Sequence, residues 1–199
     1  MPTAVSRSLE PYRGFHCLMK ALPEIMRLRP ECQVLIVGQE EAHYGTEPRQ
    51  AENWKAQCLK EWTGQIDTER LHFTGLLAFA DYLEVLQISR VHVYLSYPFI
   101  LSWSMLEAMS AGCLVLGSET APVQEVIKQG ENGLLFPFFD TNVLVAMATA
   151  ALAQPQDHDH DHLRLAARRT IQTHYDFKQA VYPQHLNLLK QLQETTVTL

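Results

Sequence analysis

A glutamate at position 107 lies inside an apolar run, residues 105–109 (MLEAM), whose other members favour burial. A carboxylate taken out of water without a partner costs several kcal/mol or gives up its charge. An ionised carboxylate accepts two hydrogen bonds, and the vicinal diol of a ribose supplies two donors. Glu107 is therefore a candidate ribose-binding residue. The alternative is a core glutamate paired with an arginine or a backbone amide.

The segment before Glu107 could bind an anion. Pro98 cannot continue a central strand and leads towards a predicted helix that contains Glu107. Ile100, Leu101 and Ser102 are then expected to offer free backbone N–H groups at the positive end of the helix dipole, a general anion site. Ser102 also suits the helix cap, and both uses of it are compatible. If the anion is a diphosphate, Glu107 is placed to reach the ribose of the same ligand.

Two arginines bracket the first predicted loop, which has the sequence SRSLEPYRG. Arg7 precedes and Arg13 follows a turn at Glu10-Pro11, so both are expected at the carboxyl end of the first strand. Two guanidinium groups that face a helix N-terminus make a phosphate clamp. Alternatively, the arginines pair with Glu10 or with other surface carboxylates, and such pairs contribute little.

These residues are positioned by an alternation of strand-like and helix-like segments. Continuous apolar runs predict strands at residues 33–37, 71–74, 91–95 and 113–117, with weaker candidates at 3–6 and 134–136. Helical patterns cover residues 15–26, 54–62, 82–87, 101–110, 122–129, 140–153, 163–174 and 177–193. The alternation predicts an α/β fold: a doubly wound, Rossmann-like, mostly parallel six-stranded sheet with helices on both faces. Ligands of such folds bind outside the carboxyl ends of the strands.

Composition narrows the class of protein. The chain has 199 residues, enough for one domain over 1–199, and its formal charge is -6 with no basic block. That charge argues against a nucleic-acid partner. The cysteines are widely spaced without a CxxC pair, and no signal peptide is visible, so we expect reduced thiols and a cytoplasmic location. The longest apolar run, residues 143–153, is too short to span a bilayer. No metal-ligand spacing is seen.

The order of several segments resembles the C-terminal domain of the retaining glycosyltransferases of family 4, which have the two-domain GT-B fold. The resemblance rests on RSLEPYRGF, RPECQVLIVG, LSYPFILSWSMLEAMSAG and APVQEVIKQGENGLLF, in that order, and covers nearly the whole chain. It implies that Arg7 and Arg13 grip the donor diphosphate and that Glu107, the second glutamate of an E-x7-E motif, binds the donor ribose. It further implies that the backbone around Leu76 and Leu77 lines the base.

The chain also departs from the family pattern. Phe99 stands where the family has the first glutamate of E-x7-E, which usually contacts the donor sugar, so sugar selection must depend on other groups. The segment 38–40 (GQE) lacks a second glycine, and residues 119–121 (ETA) replace a glycine-rich loop. The long segment 39–49 leaves the ligand edge and could choose the donor, touch another domain or be a plain surface excursion.

The resemblance implies a donor nucleotide-sugar binding domain of a retaining hexosyltransferase, with no metal or other cofactor. The acceptor, a glycan or a lipid-linked molecule in polysaccharide biosynthesis, would bind a further N-terminal domain. Any peripheral membrane association would come through that domain. Helix 177–193 is expected to reach towards it, and the chain alone is expected to bind donor without transferring sugar. Alternatives are a non-catalytic nucleotide-binding or interaction module and, more distantly, half of a sugar-nucleotide epimerase.

Overall fold

Segments rich in valine, leucine and isoleucine form the strands, because such side chains suit a pleated sheet that is covered on both faces. The computed structural model describes residues 1–97, 100–153 and 160–197, with side chains to residue 193. Within these residues the strands are β1 (Pro2–Ser8), β2 (Val34–Gln39), β3 (Leu71–Gly75), β4 (Val91–Tyr94), β5 (Leu114–Ser118) and β6 (Leu134–Phe136).

Helices follow most of the strands along the described residues. They are α1 (Phe15–Leu28), α2 (Trp54–Glu61), α3 (Phe79–Ile88), α4 (Trp103–Ala111), α5 (Ala121–Val126), α6 (Thr141–Ala151), α7 (Asp161–His174) and α8 (Tyr182–Val197). A wider π-helical turn, Phe177–Val181, leads into α8. None of the helices in the described part of the chain is long and apolar enough to cross a membrane.

All strand pairs of the sheet are parallel, and the strand order is β3-β2-β1-β4-β5-β6. The chain therefore winds from β1 outward in one direction and from β4 outward in the other. Connections leaving β1 and β4 diverge to opposite faces of the sheet, which opens a crevice at the carboxyl ends of these two strands. That topological switch point is the place where open α/β sheets bind ligands.

Two apolar layers hold the helices against the sheet. One layer contains Phe15 and Leu22 of α1 together with Leu144 of α6. The other contains Met105 and Met109 of α4, packed with residues of α3, α5 and α7. Both methionines are completely buried, so α4 is fixed firmly at its middle. Since Glu107 belongs to the same helix, its backbone position is set by this packing.

The predicted fold class is confirmed, and the two weaker strand candidates are both present, as β1 and β6. Some boundaries differ. The helix expected over 122–129 ends at Val126, because the next residues form a turn in which the Asn132 side chain binds the Lys128 N–H at 2.7 Å and the Val126 carbonyl at 3.0 Å. The first strand extends to Ser8, so Arg7 lies within it rather than after it. All four cysteines are buried and unpaired.

Candidate functional site

Arg7 and Arg13 both lie near the carboxyl end of β1, on one side of the crevice. Arg7 is exposed, and the pairing of β1 with β2 is irregular between Val5 and Ser8. Such an irregularity re-aims the side chains around it. Arg13 ends a short 3₁₀ turn, Pro11–Arg13, that is followed by Gly14. Arg7 thus lies among the last residues of β1, and Arg13 lies in the connection that leads from β1 to α1.

Arg13 is directed across the crevice to the segment that follows β4. Its Nη1 is 3.5 Å from Ser96 Oγ, the outer limit of a hydrogen bond. Its guanidinium carbon is 5.4 Å from the centre of the Tyr44 ring, a cation–π distance. Ser96 itself is buried, and its N–H donates to Ser118 Oγ at 3.1 Å. Arg13 is therefore held at the switch point between β1 and β4.

The N-terminus of α4 forms the other side of the crevice. Ser102 caps the helix, with Oγ 3.4 Å from the Ser104 N–H and 3.0 Å from Ser104 Oγ. The expectation that the Ser102 N–H is free is wrong, because it donates to Tyr94 Oη at 2.8 Å. Burial raises the pKa of Tyr94 above its ordinary value, so its hydroxyl stays neutral and accepts this bond. The tyrosine lies at the end of β4 and reaches the helix that follows.

The other residues predicted around this terminus differ in exposure. Ile100 is 68% exposed, whereas Leu101 is partly buried against the α4 layer of the core. Trp103, the first residue of α4, is 78% exposed. Phe99, predicted to lie in the donor-sugar region, falls outside the described residues. An anion at this helix end would therefore meet the amides of Ile100 and Leu101 beside an exposed apolar rim.

Glu107 is partly buried rather than enclosed in the core. Its partner is neither an arginine nor a backbone amide: Tyr82 Oη of α3 donates to Glu107 Oε2 at 2.7 Å. Within the described residues Oε1 has no hydrogen-bond partner. Burial raises the pKa of Tyr82, and the hydrogen bond to Glu107 raises it further. One carboxylate oxygen is thus held by the protein, and the other remains available to a ligand.

The residues predicted to line a base follow β3, at the same edge of the sheet. Leu76 is 60% exposed and Leu77 is partly buried. Gly75 precedes them with a φ of 66°, in the left-handed region that favours glycine. Phe79, the first residue of α3, is 64% exposed, and its ring centre is 6.1 Å from that of Tyr82. An apolar surface therefore extends from the end of β3 towards the Tyr82–Glu107 pair.

Glu10 has a role that the sequence did not indicate. Its side chain is fully buried, and Oε2 accepts N–H bonds from His43 at 3.3 Å and from Tyr44 and Gly45 at 3.0 Å each. From the sequence, Glu10 was considered as an alternative pairing partner of Arg7 and Arg13. It instead anchors the long segment between β2 and α2, and this segment presents Tyr44 to Arg13. Oε1 of Glu10 has no partner among the described residues.

An aromatic cluster also borders the crevice. It consists of Tyr12, Tyr97, Phe138 and Phe139, with edge-on ring contacts between 4.8 and 6.3 Å. The Tyr97 N–H donates to the Tyr12 carbonyl at 3.0 Å, which ties the connection after β1 to the one after β4. Sequence spacing gave no signal for this cluster, because its members come from three separate connections.

The assembled residues can bind an anionic ligand with an attached diol. The chain carries a net charge of -6, so attraction of an anion depends on local groups rather than on the overall field. Arg7, Arg13 and the N-terminus of α4 supply the positive side. Among residues 1–97, 100–153 and 160–197, no cluster of three histidine, cysteine or acidic side chains is arranged to hold a metal.

Comparison with known proteins gives one family match. The profile of the family described as "Glycosyl transferases group 1" matches residues 3–154. No curated protein matches the chain.

Several solved structures share the fold. Sucrose-phosphate synthase from Thermosynechococcus elongatus is 23% identical with a TM-score of 0.77, and the match covers 98% of this chain and 46% of that one. The C-terminal domain of a group 1 glycosyl transferase (LpcC) from Francisella tularensis is 16% identical with a TM-score of 0.73, covering 89% and 87%. HepE from Anabaena, solved with UDP, is 20% identical with a TM-score of 0.69, covering 100% and 49%. The chain thus spans about half the length of the synthase and of HepE.

Proposed function

Because the chain belongs to the glycosyl transferases group 1 family, we propose that it binds a nucleoside diphosphate sugar as the donor half of a glycosyltransferase. The observation that carries the proposal is the placement of Glu107. The carboxylate is partly buried on α4, has one oxygen held by Tyr82, and belongs to the helix that follows the segment contacted by Arg13.

The donor would lie across the crevice between β1 and β4. Its diphosphate would meet Arg7 and Arg13 on one side and the amides of Ile100 and Leu101 on the other. Its ribose would place a hydroxyl on Glu107. The base would then extend over Leu76 and Leu77, near the end of β3. This order follows from the contact between α3 and α4, because Leu76 and Leu77 lie just before α3 and Tyr82 of α3 binds Glu107 of α4.

Transfer of the sugar leaves negative charge on the departing diphosphate. Guanidinium groups and helix-end amides that are already in place stabilise that charge without reorganisation. We propose on this basis that the arginines and amides, rather than a divalent metal, neutralise the leaving group. Retention of the anomeric configuration and a glycan or lipid-linked acceptor are further parts of the proposal. The acceptor would be bound by a part of the enzyme outside this chain.

The structures solved with nucleotides guide the choice of base. HepE from Anabaena was solved with UDP and with UDP-glucose, and a pneumococcal O-GlcNAc transferase was solved with UDP and GlcNAc. These likenesses are below 25% identity and support the fold alone. Because UDP or a UDP-sugar is the nucleotide in these structures, UDP is the first ligand to test on this chain, with GDP and ADP as alternatives.

The proposal is tested by calorimetric titration of the chain with UDP, GDP and ADP, each compared with its monophosphate and its nucleoside, in buffer containing EDTA. We expect one diphosphate to bind at least tenfold more tightly than its monophosphate, since the arginines and helix amides act on the terminal phosphate. Arg13→Gln should remove most of that difference, whereas Arg27→Gln, which changes an exposed arginine paired with Glu24, should not. Equal affinity for nucleoside and diphosphate would refute the proposal.

A further inference from the structure

The contact between Tyr82 and Glu107 joins two helices at the candidate ribose site. Tyr82 Oη donates to Glu107 Oε2 at 2.7 Å, a short bond between a hydroxyl and a carboxylate. The residues are 25 positions apart in the chain, one on α3 and one on α4. The bond is therefore a product of the fold and not of local helix geometry.

The position of the tyrosine hydroxyl is fixed by packing. The Tyr82 ring is partly buried against the core layer that contains Met105 and Met109. The Phe79 ring lies beside it, with the two ring centres 6.1 Å apart. A tyrosine has only two side-chain torsions, so little freedom is left once the ring is packed. Because burial and the hydrogen bond to the nearby carboxylate raise the pKa of Tyr82, the hydroxyl also keeps its proton at neutral pH.

A carboxylate on its own rotates easily about its last torsion, which has broad minima. The Tyr82 bond removes this freedom from Glu107, because one of its two oxygens is fixed to a packed side chain. The remaining oxygen, Oε1, and the second lone pair of Oε2 then keep a constant direction. An acceptor that is already oriented loses less entropy when a ligand hydroxyl binds.

We propose that Tyr82 is a positioning residue for nucleotide binding: it orients the Glu107 carboxylate so that the carboxylate accepts a ribose hydroxyl. The inference rests on the proposed function, since it assigns Tyr82 a role in the same donor site. Tyr82 acts through Glu107 and does not itself contact the ribose. Its effect should consequently depend on the presence of both the carboxylate and the ribose hydroxyl that this carboxylate accepts.

The test measures the affinity of wild type and Tyr82→Phe for UDP, 2′-deoxy-UDP and 3′-deoxy-UDP, or for the corresponding GDP or ADP set if that base binds more tightly. We expect Tyr82→Phe to weaken UDP binding about 3- to 10-fold, the range that one net hydrogen bond supports. For the deoxy analogue that lacks the hydroxyl bound by Glu107, the loss should be less than about twofold. Tyr175→Phe, which removes a hydroxyl at the end of α7, is the matched control and should leave UDP affinity unchanged.

A second comparison separates positioning from general damage to the fold. Adding Tyr82→Phe to Glu107→Ala should cause no further loss of UDP affinity. The inference is overturned if Tyr82→Phe weakens UDP and both deoxy analogues equally, if its loss persists in the Glu107→Ala background, or if it has no effect on UDP binding. In each of these cases wild-type binding of UDP would leave the proposed function intact. Failure of the wild type to bind any of the three diphosphates overturns both.

Discussion

Replacing Glu10 by alanine removes the acceptor of three backbone N–H groups at once, those of His43, Tyr44 and Gly45. Hydrogen bonds to a charged group contribute about 1.5–3 kcal/mol each. Two of the three have lengths of 3.0 Å and the third is 3.3 Å. Since the freed amides regain hydrogen bonds to water when the loop detaches, we expect a net loss of about 3 kcal/mol in local stability, less than the sum of the three bonds.

The assay is native-state hydrogen exchange at these three amides. A loss of about 3 kcal/mol corresponds to roughly 150-fold faster exchange, at 1.36 kcal/mol per tenfold change. Glu10→Gln should give a smaller increase, because the amide oxygen still accepts but carries no charge. Glu47→Ala is the control: this exposed carboxylate accepts the Ala42 N–H at 2.9 Å. Unchanged exchange at residues 43–45 in folded Glu10→Ala would refute the assignment of Glu10 as the anchor of this loop.

Two further predictions concern the stability of the fold that carries the site, through His92 of β4 and Gly14 before α1. Burial lowers the pKa of His92 from 6.5 to about 4, so between these pH values the unfolded chain binds more protons than the folded one. The contribution of His92 to the free energy of unfolding is therefore fully present above pH 6.5, and about 3 kcal/mol is lost as the pH decreases to about 4. Urea unfolding should show that His92→Gln removes most of this decrease and that His72→Gln, at an exposed histidine, does not. An equal pH dependence of the unfolding free energy in wild type and both variants would contradict the assignment to His92. Gly14→Ala should destabilise by about 2–4 kcal/mol, because φ is 66° and a Cβ atom would lie 2.3 Å from Leu95 Cβ. Gly64→Ala has a similar φ but open space and should cost only about 1 kcal/mol; equal melting temperatures of the two variants would show that the close approach to Leu95 has no effect.

The fold was predictable because its signals are local. Each strand is a short apolar run, and each helix carries a periodic apolar face, as in α1, where Phe15 and Leu22 are buried. The helix cap at Ser102 was predictable for the same reason, since a serine directly before a helical run is the usual cap. These features depend on residues a few positions apart, and the physics that produces them is short-range.

The contacts that organise the site could not be predicted, because they join distant residues. Glu107 was recognised as needing a partner, but nothing in the spacing identified Tyr82 as that partner. Glu10 appeared to be a surface residue among arginines, whereas its amide donors come from a loop more than 30 positions later. The sequence of such a loop has no hydrophobic periodicity from which its conformation could be predicted. The Ser102 N–H was expected to be free because the reach of Tyr94 depends on how β4 and α4 are joined.

The helix at the end of the chain was expected to reach towards another domain, and this stays a prediction. The described side chains of α8 up to residue 193 are all exposed, among them Leu186, Leu188, Leu189 and Leu192. Contiguous exposed apolar side chains of this kind are typical of interaction surfaces.

The central claim is that Glu107 binds the ribose of a nucleoside diphosphate, and calorimetric titration of UDP into wild type, Glu107→Ala and Glu84→Ala tests it most directly. Glu84 is an exposed carboxylate on the neighbouring helix α3 and serves as the matched control. The account predicts that Glu107→Ala weakens UDP at least tenfold, in line with the 1.5–3 kcal/mol, about 10- to 150-fold, of a hydrogen bond to a charged group. It also predicts that Glu84→Ala binds like wild type. UDP binding by the wild type that is retained in full by Glu107→Ala would contradict the account.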